Sequence, residues 1–233
     1  MKKTLVTIGS LVLGTALVAG CGGGAKSAAA PTIQEDWLAR VPPSEMQQVE
    51  QARAAKRLAD DASARAQVDV TAAENQKRIQ EAEVDAAKAQ VSAAEAAVEA
   101  AKETGRQENI SSAQSALDDA KAAQKVAEQR VAYHQARVDA AKARKELADS
   151  RAATAEVRVQ QAQYFTLRQQ GDTRVQEIDP VQFEAALADQ RAKEAEMEAK
   201  LADSEQKVMA AQQNLQQAEQ QLQARQQQPS PTG

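Results

Sequence analysis

Val84, Val91 and Val98 recur every seven residues, and Ala87, Ala94 and Ala101 follow them by three. Apolar residues at the a and d positions of a heptad turn one narrow stripe of a helix toward a second helix, so this segment is built to lie along another rod. Read backward, the same frame puts Val49, Lys56, Ser63, Val70 and Lys77 at a, with Ala52, Ala59, Ala66, Ala73 and Gln80 at d. The pattern resumes after a short break, with Val131, Val138 and Val159 at a and Ala127, Ala141, Ala148, Ala155 and Ala162 at d.

Composition narrows the fold further. Two Phe, two Tyr and one Trp in 233 residues leave little that is bulky enough to fill a globular core. Alanine with Glu, Gln, Lys and Arg dominates from Ser44 onward, the composition of long helices and coiled coils, and no run alternates with the period of a strand.

Punctuation divides the chain into three helices, at about 45–103, 110–170 and 180–227. Ser44 with Gln47 has the spacing of a capping box and opens the first. Gly105 is the expected left-handed cap that ends it, with Lys102 in its last turn, and Asn109, Ser111 and Gln114 signal a restart. Gly171 closes the second helix. Asp179-Pro180-Val181-Gln182 opens the third, with Asp179 as N-cap, and Pro229 and Pro231 lie in a disordered tail, 229–233.

Folding the chain back at about residue 107 sets a against a: Val84 meets Val131, Val98 meets Leu117, and no lysine faces a lysine. Gln80 and His134, the polar d residues of the first two helices, then fall opposite each other. The third helix presents a larger seam, Phe183, Leu187, Met197, Leu201, Val208, Ala211, Leu215, Ala218 and Leu222, and is expected to fill the groove of the hairpin while stopping short of the Gly105 tip. The fold class is therefore all-α, a long antiparallel three-helix coiled-coil bundle running up-down-up. Nearly all bulky side chains, Tyr164, Phe165, Leu167, Ile178 and Phe183 with Met46 and Val49, gather at the end opposite the tip.

The N-terminus carries a separate signal. Lys2 and Lys3 precede an apolar run from Leu5 to Val18, too short for a stop-transfer helix and suited to a secretory leader, 1–20. Leu17-Val18-Ala19-Gly20-Cys21 resembles the lipobox of bacterial lipoproteins. The resemblance implies cleavage before Cys21, lipidation of its thiol and new amino group, and a bilayer as partner, with Gly22 after the cysteine implying the outer membrane. Residues 21–43 then read as lipidated cysteine, a flexible glycine-rich tether and one short helix over Ile33, Trp37 and Val41, begun by Thr32 and Glu35 and ended by Pro42 and Pro43. Trp37 either packs on the bundle, touches headgroups or docks a partner.

The remaining chemistry is sparse. Losing Lys2 and Lys3 with a leader takes the formal charge from −4 to −6, and no basic stripe is offered to nucleic acid. One cysteine and one histidine provide neither an intrachain disulfide nor a metal cluster, and no cofactor or small-molecule substrate is expected. His134 reads as a polar register marker beside Gln80 or as a pH switch. A second alanine stripe, Ala82, Ala86, Ala89, Ala93, Ala96 and Ala100, faces away from the seam and reflects either helix propensity or a lateral face for a homo-oligomer or another envelope protein.

The leading expectation is a non-enzymatic, lipid-anchored helical spacer or scaffold of the cell envelope, similar in plan to small coiled-coil lipoproteins. The terminal Pro-Ser-Pro-Thr-Gly lacks the lysine by which the murein-linked kind is attached. As an alternative, the hairpin over about 45–170 resembles that of membrane fusion proteins in secretion and efflux, which implies an adaptor or chaperone-like partner role centred on the tip Thr104, Gly105 and Arg106. The lipoyl and β-barrel segments flanking that hairpin in the family are absent here.

Overall fold

The structure is a computed structural model and describes residues 30–227. The segments expected to be a leader, lipidated Cys21 and tether, and the proline-containing tail, fall outside the described residues.

Among the described residues there are three long α-helices: α1 Gln47–Thr104, α2 Gln107–Gln169 and α3 Val181–Gln226. At 1.5 Å per residue, their 58, 63 and 46 residues give rods of about 87, 95 and 69 Å. The architecture is the all-α three-helix arrangement expected, without strands among the described residues. α1 and α2 form an antiparallel hairpin in the register read from the heptads. Val84, Ala87 and Ala127 are buried together with Val131 against them, and Val91, Val98 and Leu117 form the next cluster toward the tip. Cross-helix pairs fix the same register, Lys142 with Glu74 at 2.8 Å and Lys121 with Glu95 at 3.5 Å.

α3 runs antiparallel to α2, but it does not fill the groove of the hairpin as expected. It lies along α2 and, beyond the base, stands off α1. Charge is one reason for this placement. Arg130, Arg144 and Arg151, set at heptad intervals on one side of α2, reach Glu219, Glu205 and Glu198 of α3 at 3.1, 2.7 and 2.9 Å. Each exposed pair is worth only some tenths of a kcal/mol. Side-chain size is the other. α2 carries a second buried face, Ala140, Leu147, Thr154 and Val157, that receives α3, and Thr154 Oγ1 donates to the Glu194 carboxylate. The α3 seam is consequently only partly covered: Phe183, Leu187 and Ala218 are buried, whereas Met197, Leu201, Val208, Leu215 and Leu222 are half-buried.

The base opposite the tip holds the one bulky core among the described residues, Ile33, Leu38, Val49, Tyr164, Leu167, Val175 and Phe183, with Trp37, Met46 and Ile178 against it. Phe165, expected there, is instead 37% exposed: in the rotation that buries Tyr164 and Leu167 it falls on the outer side of α2. The N-terminal segment is not an α-helix but a 3₁₀ stretch, Glu35–Arg40, followed by a 3₁₀ turn, Pro43–Glu45. Two proline rings in succession deny it the hydrogen bonds that would continue a helix. It is tied to the bundle by the Ile33 backbone N–H, which donates to Gln160 Oε1 at 2.6 Å.

The expected capping boxes are not formed. α1 begins after Met46 without a side-chain cap, because the Pro43 turn already orders the preceding backbone, and α2 begins at Gln107, three residues before the expected start. Asp179 does cap α3, accepting the Val181 N–H at 2.9 Å.

Candidate functional site

Three places on the rod bring polar chemistry together: the distal tip, a groove at mid-height, and the base. At the tip, Gly105 takes φ 65°, a left-handed conformation that a β-carbon disfavours, and its N–H bonds the carbonyl of Lys102. Thr104 organises the turn. Its hydroxyl donates to the Ala101 carbonyl at 2.7 Å and accepts from the Arg106 backbone N–H at 3.4 Å and the Asn109 amide at 3.5 Å. Asn109, read as a helix start, therefore braces the turn from inside α2. Thr104, Gly105 and Arg106 thus form one ordered knuckle. α3 ends alongside Asp118, where Arg225 reaches it at 3.3 Å, so the last stretch to the tip, about 20 Å, is two-stranded.

The standoff between α1 and α3 leaves an open groove of about 900 Å³ floored by α2. Asp69, Ala72, Ala73 and Gln76 line it from α1, His134, Arg137, Ala140, Ala141 and Arg144 from α2, and Glu205, Val208 and Met209 from α3. Gln80 is buried at the seam just above. Its amide donates to Glu83 Oε1 at 3.2 Å, and the same Glu83 carboxylate favours the charged form of His134. Burial pushes the imidazole below its ordinary pKa, the neighbouring Arg137 adds to this, and Glu83 opposes it. Arg137 occupies the heptad position that would add a rung to the arginine ladder. By the spacing of the other rungs it falls opposite Gln212, and its guanidinium lies 5.9 Å from the Tyr133 ring instead.

At the base, Asp172 opens the 3₁₀ turn Thr173–Val175 by accepting the Arg174 N–H at 2.9 Å. The Arg174 guanidinium chelates the same carboxylate, bonds the Trp37 carbonyl at 3.3 Å and lies over the Trp37 ring. These bonds hold the Asp172 carboxyl down to about pKa 2. Of the three sequence readings of Trp37, the structure supports packing on the bundle.

The heptads and glycines locate the tip and the polar seam pair, but not the groove or the Asp172–Arg174 latch. The groove's signal was present in the spacing of Arg130, Arg144 and Arg151 against Glu219, Glu205 and Glu198. Among the described residues no cluster of His, Cys, Asp or Glu has the makings of a metal site, and no helix is long and apolar enough to cross a membrane. No known family model matches this chain, and neither does any curated protein or solved structure.

Proposed function

We propose that the chain is a non-enzymatic, lipid-anchored protein of the cell envelope, most simply of the outer membrane, that acts as a helical spacer or scaffold. The reading is carried by polarity along the rod. Bulky packing is concentrated at the base, where the N-terminal segment is pinned by Ile33 and Trp37, while the far end tapers to a two-stranded knuckle. Eight residues lie between Cys21 and Ala30, so the two are at most about 30 Å apart. An acyl anchor at Cys21 thus keeps the base near the bilayer and sends the tip roughly 90 Å away. The test is fractionation of cells expressing wild type and Cys21→Ser: the anchor reading expects wild type in the membrane pellet and the variant in the soluble fraction. A wild-type protein found soluble, with a mature N-terminus other than Cys21, overturns it.

One observation favours a second reading, an adaptor that binds an envelope partner through Thr104, Gly105 and Arg106. α1 and α2 run on beyond the end of α3 and close in an ordered turn. Cross-linking in intact cells from positions flanking Gly105 separates the two: one specific protein captured there supports the adaptor, and neighbours no different from those captured at mid-rod support the spacer.

A further inference from the structure

The arginine ladder of α2 has one incomplete rung. Arg130 is met from both sides, by Glu83 of α1 at 3.9 Å and by Glu219 of α3 at 3.1 Å. One heptad toward the base, the same two registers bring Gln76 and Gln212, neutral amides in place of both carboxylates. Arg137 therefore has no ion-pair partner among the described residues, and its guanidinium rests by the Tyr133 ring. One heptad further, Arg144 turns to Glu205 at 2.7 Å. Asp69, which the α1 register sets at that level, is left without an ion-pair partner among the described residues.

Both groups line the same groove of about 900 Å³. Seven residues of helix, at about 1.5 Å each, set their levels about 10 Å apart. The surface between them is apolar, with Ala73, Ala140 and Ala141 on one side and Val208 and the 56% exposed Met209 on the other. A cation lacking its anion, an anion lacking its cation and uncharged surface between them describe a ligand with the opposite order of charges. Size narrows it further. A single amino acid holds its ammonium and carboxylate too close together to reach both, whereas three extended residues, at about 3.3–3.6 Å each, span about 10 Å.

We propose that the groove binds a short zwitterionic peptide of about three residues, its terminal carboxylate on Arg137 and Gln76, its ammonium on Asp69, and its apolar side chains against Val208 and Met209. Hydrogen bonds between ionised groups are roughly twice as strong as neutral ones, so both termini are needed. Arg144 and Glu205 satisfy each other and add no net charge at the Asp69 end. His134 stands one turn from Arg137 and lines the same groove, so its ring senses the carboxylate. A peptide held in this way fills the space between α1 and α3 at mid-height, where the two helices stand apart. The inference goes beyond the spacer reading and is independent of the lipid anchor.

The full chain carrying Cys21→Ser is titrated with the free tripeptide Ala-Leu-Ala while the ring protons of His134, the only histidine, are followed by NMR. A saturating movement with a Kd of about 1 mM or tighter is expected. Amidating the carboxyl end of the peptide, or acetylating its amino end, should each weaken binding at least about tenfold. Arg137→Gln should bind free and amidated peptide alike, and Asp69→Asn free and acetylated peptide alike, a sorting by terminus that general loosening of the rod does not produce. Helix content serves as the control that both substitutions, at exposed positions, leave the fold intact. No saturation by about 10 mM overturns the proposal, as does equal binding of the free and doubly blocked peptides. Doubly blocked Ala-Glu-Ala that binds as tightly as free Ala-Leu-Ala overturns it in favour of a side-chain carboxylate, the mark of a protein partner.

Discussion

The guanidinium of Arg174 lies 5.2 Å from the ring centroid of Trp37 while it chelates Asp172. One side chain thereby joins the loop between α2 and α3 to the N-terminal segment. Trp37 is the only tryptophan, so its emission reports on this latch and on the base core it packs against.

Acid should open the latch over a defined range. The Asp172 carboxyl sits at about 2 in the folded chain, against 3.8 when free. Its contribution is therefore complete above about pH 4 and is lost as the pH falls from there toward 2. Asp172→Asn is expected to weaken the base by a constant amount above pH 4, and the gap between wild type and variant should close by about pH 2. Urea unfolding followed by Trp37 emission measures it, and a gap that persists at pH 2 contradicts it.

Phe183 is fully buried in the base core, its ring centroid 5.3 Å from that of Tyr164. Phe183→Ala should cost about 3–5 kcal/mol. Leu222→Ala, half-buried near the far end of α3, should cost less than about half of that. Equal effects on chemical denaturation would mean that the base is not where stability is concentrated.

At the tip, a β-carbon on Gly105 meets nothing within 4 Å, so the penalty for Gly105→Ala comes from the backbone alone. A left-handed non-glycine residue costs about 1–2 kcal/mol. Denaturation midpoints should fall accordingly with unchanged slope, and Gly105→Asn should recover part of the loss. A neutral Gly105→Ala would show that the turn is not held in this conformation.

His134 resists protonation in the fold, chiefly because it is partly buried. A histidine with a depressed pKa contributes fully above its unfolded value near 6.5 and destabilises the fold as the pH drops below it. The charges around it are Glu83 and Asp69 of α1, Arg137 and Arg144 of α2 and Glu205 of α3. Wild type should therefore lose thermal stability between pH 7 and 5 more steeply than His134→Gln. Identical slopes would leave His134 a passive register marker.

The hairpin was legible because its information is local and periodic: valines and alanines at fixed spacing dictate both partner and register, and Gly105 marks the turn. The position of α3 was not. α2 must serve two neighbours, and its second face mixes Ala140, Leu147, Thr154 and Val157 among residues that the first heptad frame also claims. The capping box at Ser44 failed for a different reason: Ser44 lies inside the 3₁₀ turn that Pro43 opens, and side chains spaced for an α-helical first turn no longer meet. At the N-terminal segment the first turn starts after Gln34 rather than Thr32. Of the site residues, Thr104, Gly105 and Arg106 were readable from turn chemistry. The groove beside His134 exists because α3 stands off α1, and its trace in the sequence, Arg130, Arg144 and Arg151 against Glu219, Glu205 and Glu198, lies between segments far apart in the chain rather than in any one local pattern.

The early end of α3 has a mechanical consequence. Flexural stiffness rises steeply with the number of rods bound side by side, so the section from the base to Asp118 resists deflection while the pair of strands beyond it yields. A sideways force applied at Gly105 is absorbed in that last portion, and the pinned base feels little of it. The molecule is a stiff post with a compliant finger, able to keep its foot still while its end follows a moving neighbour.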